Sequence, residues 1–466
     1  MNKKNLIKSG LIYTIGNVLL QGLAFITLPI YTRVISQEVY GEYSLYTSWV
    51  TIISLFIGLQ TSGSLTIAKV KYPKDYTRYS AHAFSVSNLF FLVTFGIILF
   101  FQAQISELLG FSKTVVIILF FQSYATYVCG FFGQYFIQLQ RATANLMLSA
   151  FIAISSTFLS IFLIFKLDDD FIARVIGGLL PLIIMVIITY VYIYSKGRTF
   201  IRKEYLSFTL AISIPLIFHH LGHQVLNQLD RLMIGTIMTS KDVALYSFGY
   251  NMGMIIQIVL GNINIAWIPW FFEARKKKDP ALQDTIRKYL SIAVFLTLGY
   301  LTIFPEFSQL MGGEKYSEAN SFIPMIIVSY FFSFLYTFPV NVQFFYENTK
   351  MVPVGTLIAG GINAGMNLLF IPRMGIYGAA ISTALSYFAL LVIHHYISKK
   401  KYDYRDVTMR TYINLSLIVI IYALLMNIFV DYIILRWGVG LIILSIYYWY
   451  FYSEIKNFIL RKRGKK

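Results

Sequence analysis

The sequence predicts an all-α polytopic membrane protein with about fourteen transmembrane helices, and three observations predict it. The chain of 466 residues is 57% apolar and only 13% charged, a balance foreign to soluble domains of this size. Its apolar runs reach the ~20 residues that span the hydrocarbon core. The loops between them alternate between basic and nearly uncharged. If successive runs are spans, thirty of the thirty-nine Lys and Arg lie on the side of both termini, eight lie opposite, and Arg231 lies within a span. Basic residues beside a span resist translocation, so both termini are expected in the cytoplasm.

Taken in order, the spans are expected at 10–32, 43–66, 79–102, 114–138, 145–165, 172–195, 206–236, 243–272, 288–310, 320–345, 352–371, 376–397, 411–430 and 434–455. Lys3, Lys4 and Lys8 before the first run imitate a signal peptide, but the run reaches Ile30, too long for a signal core, and no small-residue cleavage site follows. The second span opens after the loop at Ser36, and Lys69 to Arg78 separate it from the third. Lys113 and Arg141 bracket the fourth, Lys166 follows the fifth, and Arg174 and Lys196 bracket the sixth. The seventh is the most polar. Lys241 precedes the eighth, Arg275 to Lys288 join it to the ninth, and Lys315 precedes the tenth. Lys350, Arg373 and Lys399 to Arg410 delimit the eleventh and twelfth, and a basic tail follows the last two.

The net charge of +18 sits on the cytoplasmic rim, where anionic lipid headgroups account for it without nucleic acid. Cys129 is the only cysteine, which excludes an internal disulfide and a thiolate metal cluster. The sequence has no Walker A pattern, and no cofactor is expected. The longest cytoplasmic connection, Glu273 to Lys288, is too short for a soluble catalytic domain. The expected role is transport within the bilayer rather than enzymatic.

Ser36 to Ser44 and Thr239 to Ser247 both end in Tyr-Ser at the start of a span, and Gln140 to Thr143 parallels Tyr346 to Thr349. Six spans separate each pair, which predicts a parallel repeat. The expected organisation is a six-helix lobe over 1–200, a second over 201–402, and two further helices with the basic tail over 403–466.

Polar residues within spans mark a candidate path. At ~100° per residue, His219, His220, His223, Gln224, Asn227, Gln228, Asp230 and Arg231 fall on one half of the seventh span, and Leu226 and Leu232 fall on the other. An ion at mid-bilayer costs at least ~2.5–3.5 kcal/mol, so the polar half should meet protein or water. It reads either as a lumen wall for an anionic headgroup or, favoured for Asp230 and Arg231, as a structural pair near the outer surface. For the three histidines the two readings stand level. Asn17 and Gln21 share a face of the first span, Gln257 marks the eighth, and Arg33 and Lys69 can reach inward from span ends. Asn262, Asn264, Gln134, Asn341, Gln343, Asn363 and Asn367 read mainly as helix-to-helix contacts.

Three motifs are set aside. His219 and His223, in His219-His-Leu-Gly-His223, have zinc-like spacing, but the glutamate of the metalloprotease pattern is absent and no third ligand is identifiable. Asp168 to Asp170 read as a solvated outer turn, and His394-His395 as an interfacial pair.

Several segments together resemble bacterial polysaccharide flippases of the Wzx/PST type, in the superfamily that also holds MATE drug exporters and lipid II flippases. They are Gly16-Asn17 running to Pro29, Tyr40 to Ser44, Ile214-Pro215, Asp230 to Gly235, and Asn363 to Thr383 with Asn367, Pro372, Gly375 and Gly378. The resemblance implies two six-helix lobes enclosing a central cavity that work by alternating access. The implied cargo is a polyprenyl-pyrophosphate-linked oligosaccharide, with membrane lipids, a polysaccharide polymerase and glycosyltransferases as partners. The sparse cations within spans depart from the lumen expected of a lipid II flippase. A MATE-like exporter would have twelve spans and a coupling carboxylate, for which Asp230 is the candidate. A membrane glycan polymerase would need a large outer loop that the sequence lacks.

Overall fold

The computed structural model describes residues 22 and 25–463, residue 349 excepted, with side chains through residue 449 apart from residues 219, 223 and 225. Among the described residues there is no strand. The helices are α1 (25–34), α2 (Gln37–Ile57), α3 (Thr61–Lys71), α4 (Tyr76–Phe100), α5 (Gln102–Leu109), α6 (Lys113–Gln138), α7 (Ala142–Ile164) and α8 (Asp170–Gly197). They continue as α9 (Lys203–Ile237), α10 (Ser240–Lys276), α11 (Leu282–Gly312), α12 (Ile323–Leu335) and α13 (Thr337–Phe345). The last four are α14 (Met351–Met374), α15 (Ile376–Tyr402), α16 (Met409–Ile428) and α17 (Ile433–Arg463).

Eleven described helices are long and apolar enough to cross a membrane, or twelve when α2 and α3 form one bent span. The expected count of fourteen is not confirmed among the described residues. The first expected span falls largely outside the described residues, and α17 contributes only the shorter apolar stretch Ile433–Trp449. The second expected span is not one straight helix: α2 and α3 meet at 43°.

Local chemistry sets the boundaries. Ser36, Ser112, Asp169, Thr239 and Thr408 accept a backbone N–H from the first turn of α2, α6, α8, α10 and α16, each worth about 0.5–2 kcal/mol. At Thr239 the cap is reciprocal, with Asp242 accepting from the Thr239 backbone N–H at 3.0 Å. Two helix ends share one geometry. Gln140 and Glu347 are both left-handed, at φ 58° and 56°. The next residues, Arg141 and Asn348, donate five residues back to Phe136 and Gln343. This is the closing motif that satisfies the last helical carbonyls. The correspondence is thus Gln140 with Glu347, one residue later than the sequence pairing with Tyr346.

Only Gly375, at φ 61°, separates α14 from α15, a conformation that favours glycine. A Cβ at Gly378 would stand 2.6 Å from the Phe370 carbonyl, and one at Gly177 would stand 2.5 Å from the Ser160 backbone. These glycines allow close contact of α14 with α15 and of α7 with α8, as small residues do between membrane helices.

The chain divides into two compact units, Met1–Gln228 and Leu229–Lys466, with the boundary inside α9. In the first, α6 packs against α2, α3, α7 and α8, with Phe84, Leu119, Val128 and Phe131 fully buried. In the second, α12 packs against α10, α15 and α16, with Ile327, Phe331 and Leu335 fully buried. Apolar side chains such as Leu92, Ile154, Phe158, Ile421 and Ile442 are exposed on the helices and form the surface presented to lipid.

Two residues expected in outer loops are buried within helices. Arg174 lies in the first turns of α8, its guanidinium carbon 3.8 Å and 4.0 Å from the ring centres of Tyr43 and Tyr31. Arg436 lies in α17, bonded to Glu306 and to the Thr302 and Val430 carbonyls. His394 and His395, expected at the interface, are also buried. His394 Nδ1 meets Gln343 Nε2 at 3.0 Å, and the His395 ring meets Tyr404 and Tyr412 edge-on. In each case protein partners replace the water that a hydropathy reading assumes.

Candidate functional site

In the first unit the break between α2 and α3 opens a cavity of about 510 Å³, within the ~300–1,000 Å³ usual for ligand sites. Leu59 and Gln60 form the break, both left-handed at φ 52° and 49°, a conformation costing non-glycine residues about 1–2 kcal/mol each. Gly58 precedes them because a Cβ there would stand 2.3 Å from the Tyr127 ring. Gln60 Nε2 donates to the Leu55 carbonyl at 3.3 Å, bridging the break.

The walls come from four helices. Ser54 comes from α2, with Gln60 at the break and Ser62, Gly63 and Thr66 from α3. Helix α6 supplies Thr126, Tyr127, Gly130 and Gln134, and α9 supplies Leu216 and His220. Thr126, Gly130 and Gln134 are four residues apart and share one helical face. Tyr127 bonds Thr61 at 2.6 Å, and Thr66 Oγ1 accepts from Gln134 and Gln138, both at 3.0 Å. None of the described lining residues is Lys, Arg, Asp or Glu.

The second unit holds a buried carboxylate. Asp230 Oδ2 accepts from Tyr246 at 2.5 Å and Thr383 at 2.6 Å, and Oδ1 accepts from Asn367 at 2.6 Å. Asn367 also donates to Asn363 at 3.3 Å. Thus α9, α10, α14 and α15 converge on one charge. Three neutral donors stabilise it away from water. The Oδ1 of Asn367 remains a buried acceptor without a hydrogen-bond partner. Beside the carboxylate, Arg231 donates Nε to Ser247 at 3.1 Å and lies 4.5 Å over the Tyr250 ring. Among the described residues no group of three His, Cys, Asp or Glu could hold a metal.

The remaining sequence candidates are dispersed. Asn17 and Gln21 lie outside the described residues, as do the side chains of His219 and His223. His220 lines the cavity. Gln224, Asn227 and Gln228 are half-buried, whereas Asp230 and Arg231 on the same half are buried; on the other half Leu226 and Leu232 are buried and Leu221 and Leu229 half-buried, so burial does not separate the two halves. Gln228 accepts from Ser48 at 3.0 Å. Arg33 is exposed, donating to the Pro29 carbonyl at 2.9 Å. Lys69 Nζ stands 4.6 Å over the Tyr76 ring, and Gln257 is half-buried. Sequence reasoning missed most of the cavity wall, because Ser, Thr and Tyr are ordinary within spans. The four-residue spacing of Thr126, Gly130 and Gln134 was the available signal.

A family model described as polysaccharide biosynthesis protein matches residues 6–275. The chain belongs to the polysaccharide biosynthesis protein family. An uncharacterised membrane protein of Haemophilus influenzae is 25% identical over 402 residues, covering 80% of this chain and 94% of the relative. Among solved structures, the lipid II flippase MurJ in an inward closed conformation matches with a TM-score of 0.68 at 13% identity, covering 96% of this chain and 99% of MurJ. An inward-facing multidrug resistance MATE family transporter matches at 0.60 and 11% identity, covering 82% and 94%. The fold is that of the MurJ and MATE transporters of the MOP superfamily.

Proposed function

We propose that this chain is a flippase carrying polyprenyl-pyrophosphate-linked oligosaccharide repeat units from the cytoplasmic to the outer leaflet of the bacterial plasma membrane. The observation that carries this reading is the cavity of the first unit, lined by hydroxyl and amide groups among apolar helices, in a member of a polysaccharide biosynthesis family. Sugar hydroxyls entering hydrocarbon lose hydrogen bonds at about 2–7 kcal/mol each, and such a wall replaces them. The prenyl tail needs no replacement and stays in lipid.

In this reading the lobes over 1–200 and 201–402 alternate access, and the helices of 403–466 are accessory. Both termini are cytoplasmic, where glycosyltransferases supply the cargo and from which a polymerase outside receives it. The protein acts as a transporter, not an enzyme. Asp230, held by neutral donors, is the group through which a proton or cation gradient would bias the cycle.

The same carboxylate favours a second reading, a cation-coupled drug exporter. One experiment separates the two. Depletion of the protein should accumulate polyprenyl-linked lipid bearing a completed repeat unit, with loss of surface polymer. An unchanged lipid pool with increased retention of a cationic dye would establish the exporter instead.

A further inference from the structure

We infer that Gly130 sets the size of the sugar that the first-unit cavity holds; this rests on the flippase reading. Two glycines line that cavity, and their surroundings differ. A Cβ at Gly63 would stand 2.3 Å from Leu216 Cδ1, so α9 packs against the bare backbone of α3 there. Gly130 is exposed in the interior of α6, and among the described residues an added Cβ would meet nothing within 4 Å. Its φ is not positive, so no left-handed conformation calls for glycine either. A glycine inside a helix is less stable than an alanine. Glycine at this position therefore costs α6 some stability, and what it provides is space in the cavity.

That space has a defined outline. Thr126 and Gln134 line the cavity one turn before and one turn after Gly130, on the same face of α6. The eight residues between them rise about 12 Å along the helix. The bare backbone forms a notch with a hydroxyl at one end and a carboxamide at the other. Gln134 Nε2 donates to Thr66 Oγ1 at 3.0 Å, which holds that carboxamide against α3. Glycine is the residue that lets a ligand approach the backbone closely. A pyranose ring lying over Gly130 presents hydroxyls to both ends of the notch, and a hydroxyl donates as well as accepts. A larger side chain at 130 would stand where the ring lies, and a filled site tolerates added volume poorly. In this arrangement the pyrophosphate and the prenyl tail lie outside the notch, so their binding does not depend on residue 130.

The test uses the purified full chain in lipid nanodiscs and two short-chain polyprenyl pyrophosphates, one glucosylated and one bearing no sugar. Binding is measured by native mass spectrometry for the wild type, Gly130→Ala and Gly130→Leu. The glucosyl lipid should lose roughly threefold in affinity with Ala and about tenfold or more with Leu, while the bare lipid binds all three alike. The thermal midpoint of Gly130→Ala should equal or exceed that of the wild type. If Gly130→Leu fails to fold, the alanine variant carries the test. Glucosyl-lipid affinity that is unchanged, or that falls equally for both lipids, would overturn the role of Gly130 and leave the flippase reading standing. A lower midpoint for Gly130→Ala would make residue 130 a packing position and overturn it as well. Wild-type protein that does not bind the glucosyl lipid would overturn both readings.

Discussion

Asp230 and Asn367 lie 137 residues apart in sequence and share a hydrogen bond of 2.6 Å. That bond joins α9 to α14 at a charge with negligible solvent contact, since Asp230 is 1% exposed. Such a carboxylate is costly to keep unless it takes part in the work of the molecule.

Replacing Asp230 by Asn preserves shape but removes the charge and exchanges one of the two oxygens that Tyr246, Thr383 and Asn367 share for an amide donor. Hydrogen bonds to a charged group contribute about 1.5–3 kcal/mol, so surface polymer should fall roughly tenfold or more at near-normal protein level. Asp230→Ala, which removes the shared acceptor of all three donors, should lower the protein level as well. Quantifying polymer against immunoblotted protein checks both, and normal polymer from Asp230→Asn would remove the carboxylate from the transport cycle.

Arg174 is a buried cation whose Nε and Nη1 have no hydrogen-bond partner. Its described contacts are the stacked rings of Tyr31 and Tyr43, with Tyr40 5.6 Å away. Lysine cannot reproduce the planar stack, so Arg174→Lys should destabilise by about 0.5–2 kcal/mol. Arg174→Met, a neutral side chain of similar length, should melt above the lysine variant. The thermal midpoints of the purified variants give the order, and the reverse order would show that charge, not stacking, holds this site.

Arg275 and Asp406 form an ion pair with side chains only 12% and 14% exposed, tying the end of α10 to the loop before α16. Breaking a buried pair from one side costs about 3–5 kcal/mol, because the other charge is left behind. Each single alanine variant should therefore be less stable than the double variant. A double-mutant cycle on thermal stability reads this directly, and additive losses would refute the coupling.

Orientation can be tested with Cys129, the lone thiol, replaced by Ala. A single cysteine at Lys278 should react with an impermeant maleimide only after permeabilisation, and one at Asp168 should react in intact cells. The opposite pattern would invert the topology and place the amino terminus outside.

Much of the fold was legible because span length and basic loops report solvent directly. Asp230, Asn363 and Asn367 were legible as polar groups in apolar runs, but their convergence was not. Their partners Tyr246 and Thr383 belong to residue types that are ordinary inside membrane helices. Arg174 and Arg436 read as loop residues when charge implies water, whereas aromatic rings and carbonyls supply their environment. The bend at Leu59 and Gln60 was invisible because neither is a usual left-handed residue, and only Gly58 hinted at a close approach.

The wall of the first cavity has a consequence for how such proteins diversify. Ser54, Gln60, Ser62, Thr126 and Gln134 are half-buried, so they contribute less to packing than the fully buried core beside them. Substitution at such positions usually shifts stability by little. A lineage could therefore retune its cargo residue by residue on an unchanged scaffold, and relatives handling different glycans should differ at these positions before they differ in the core.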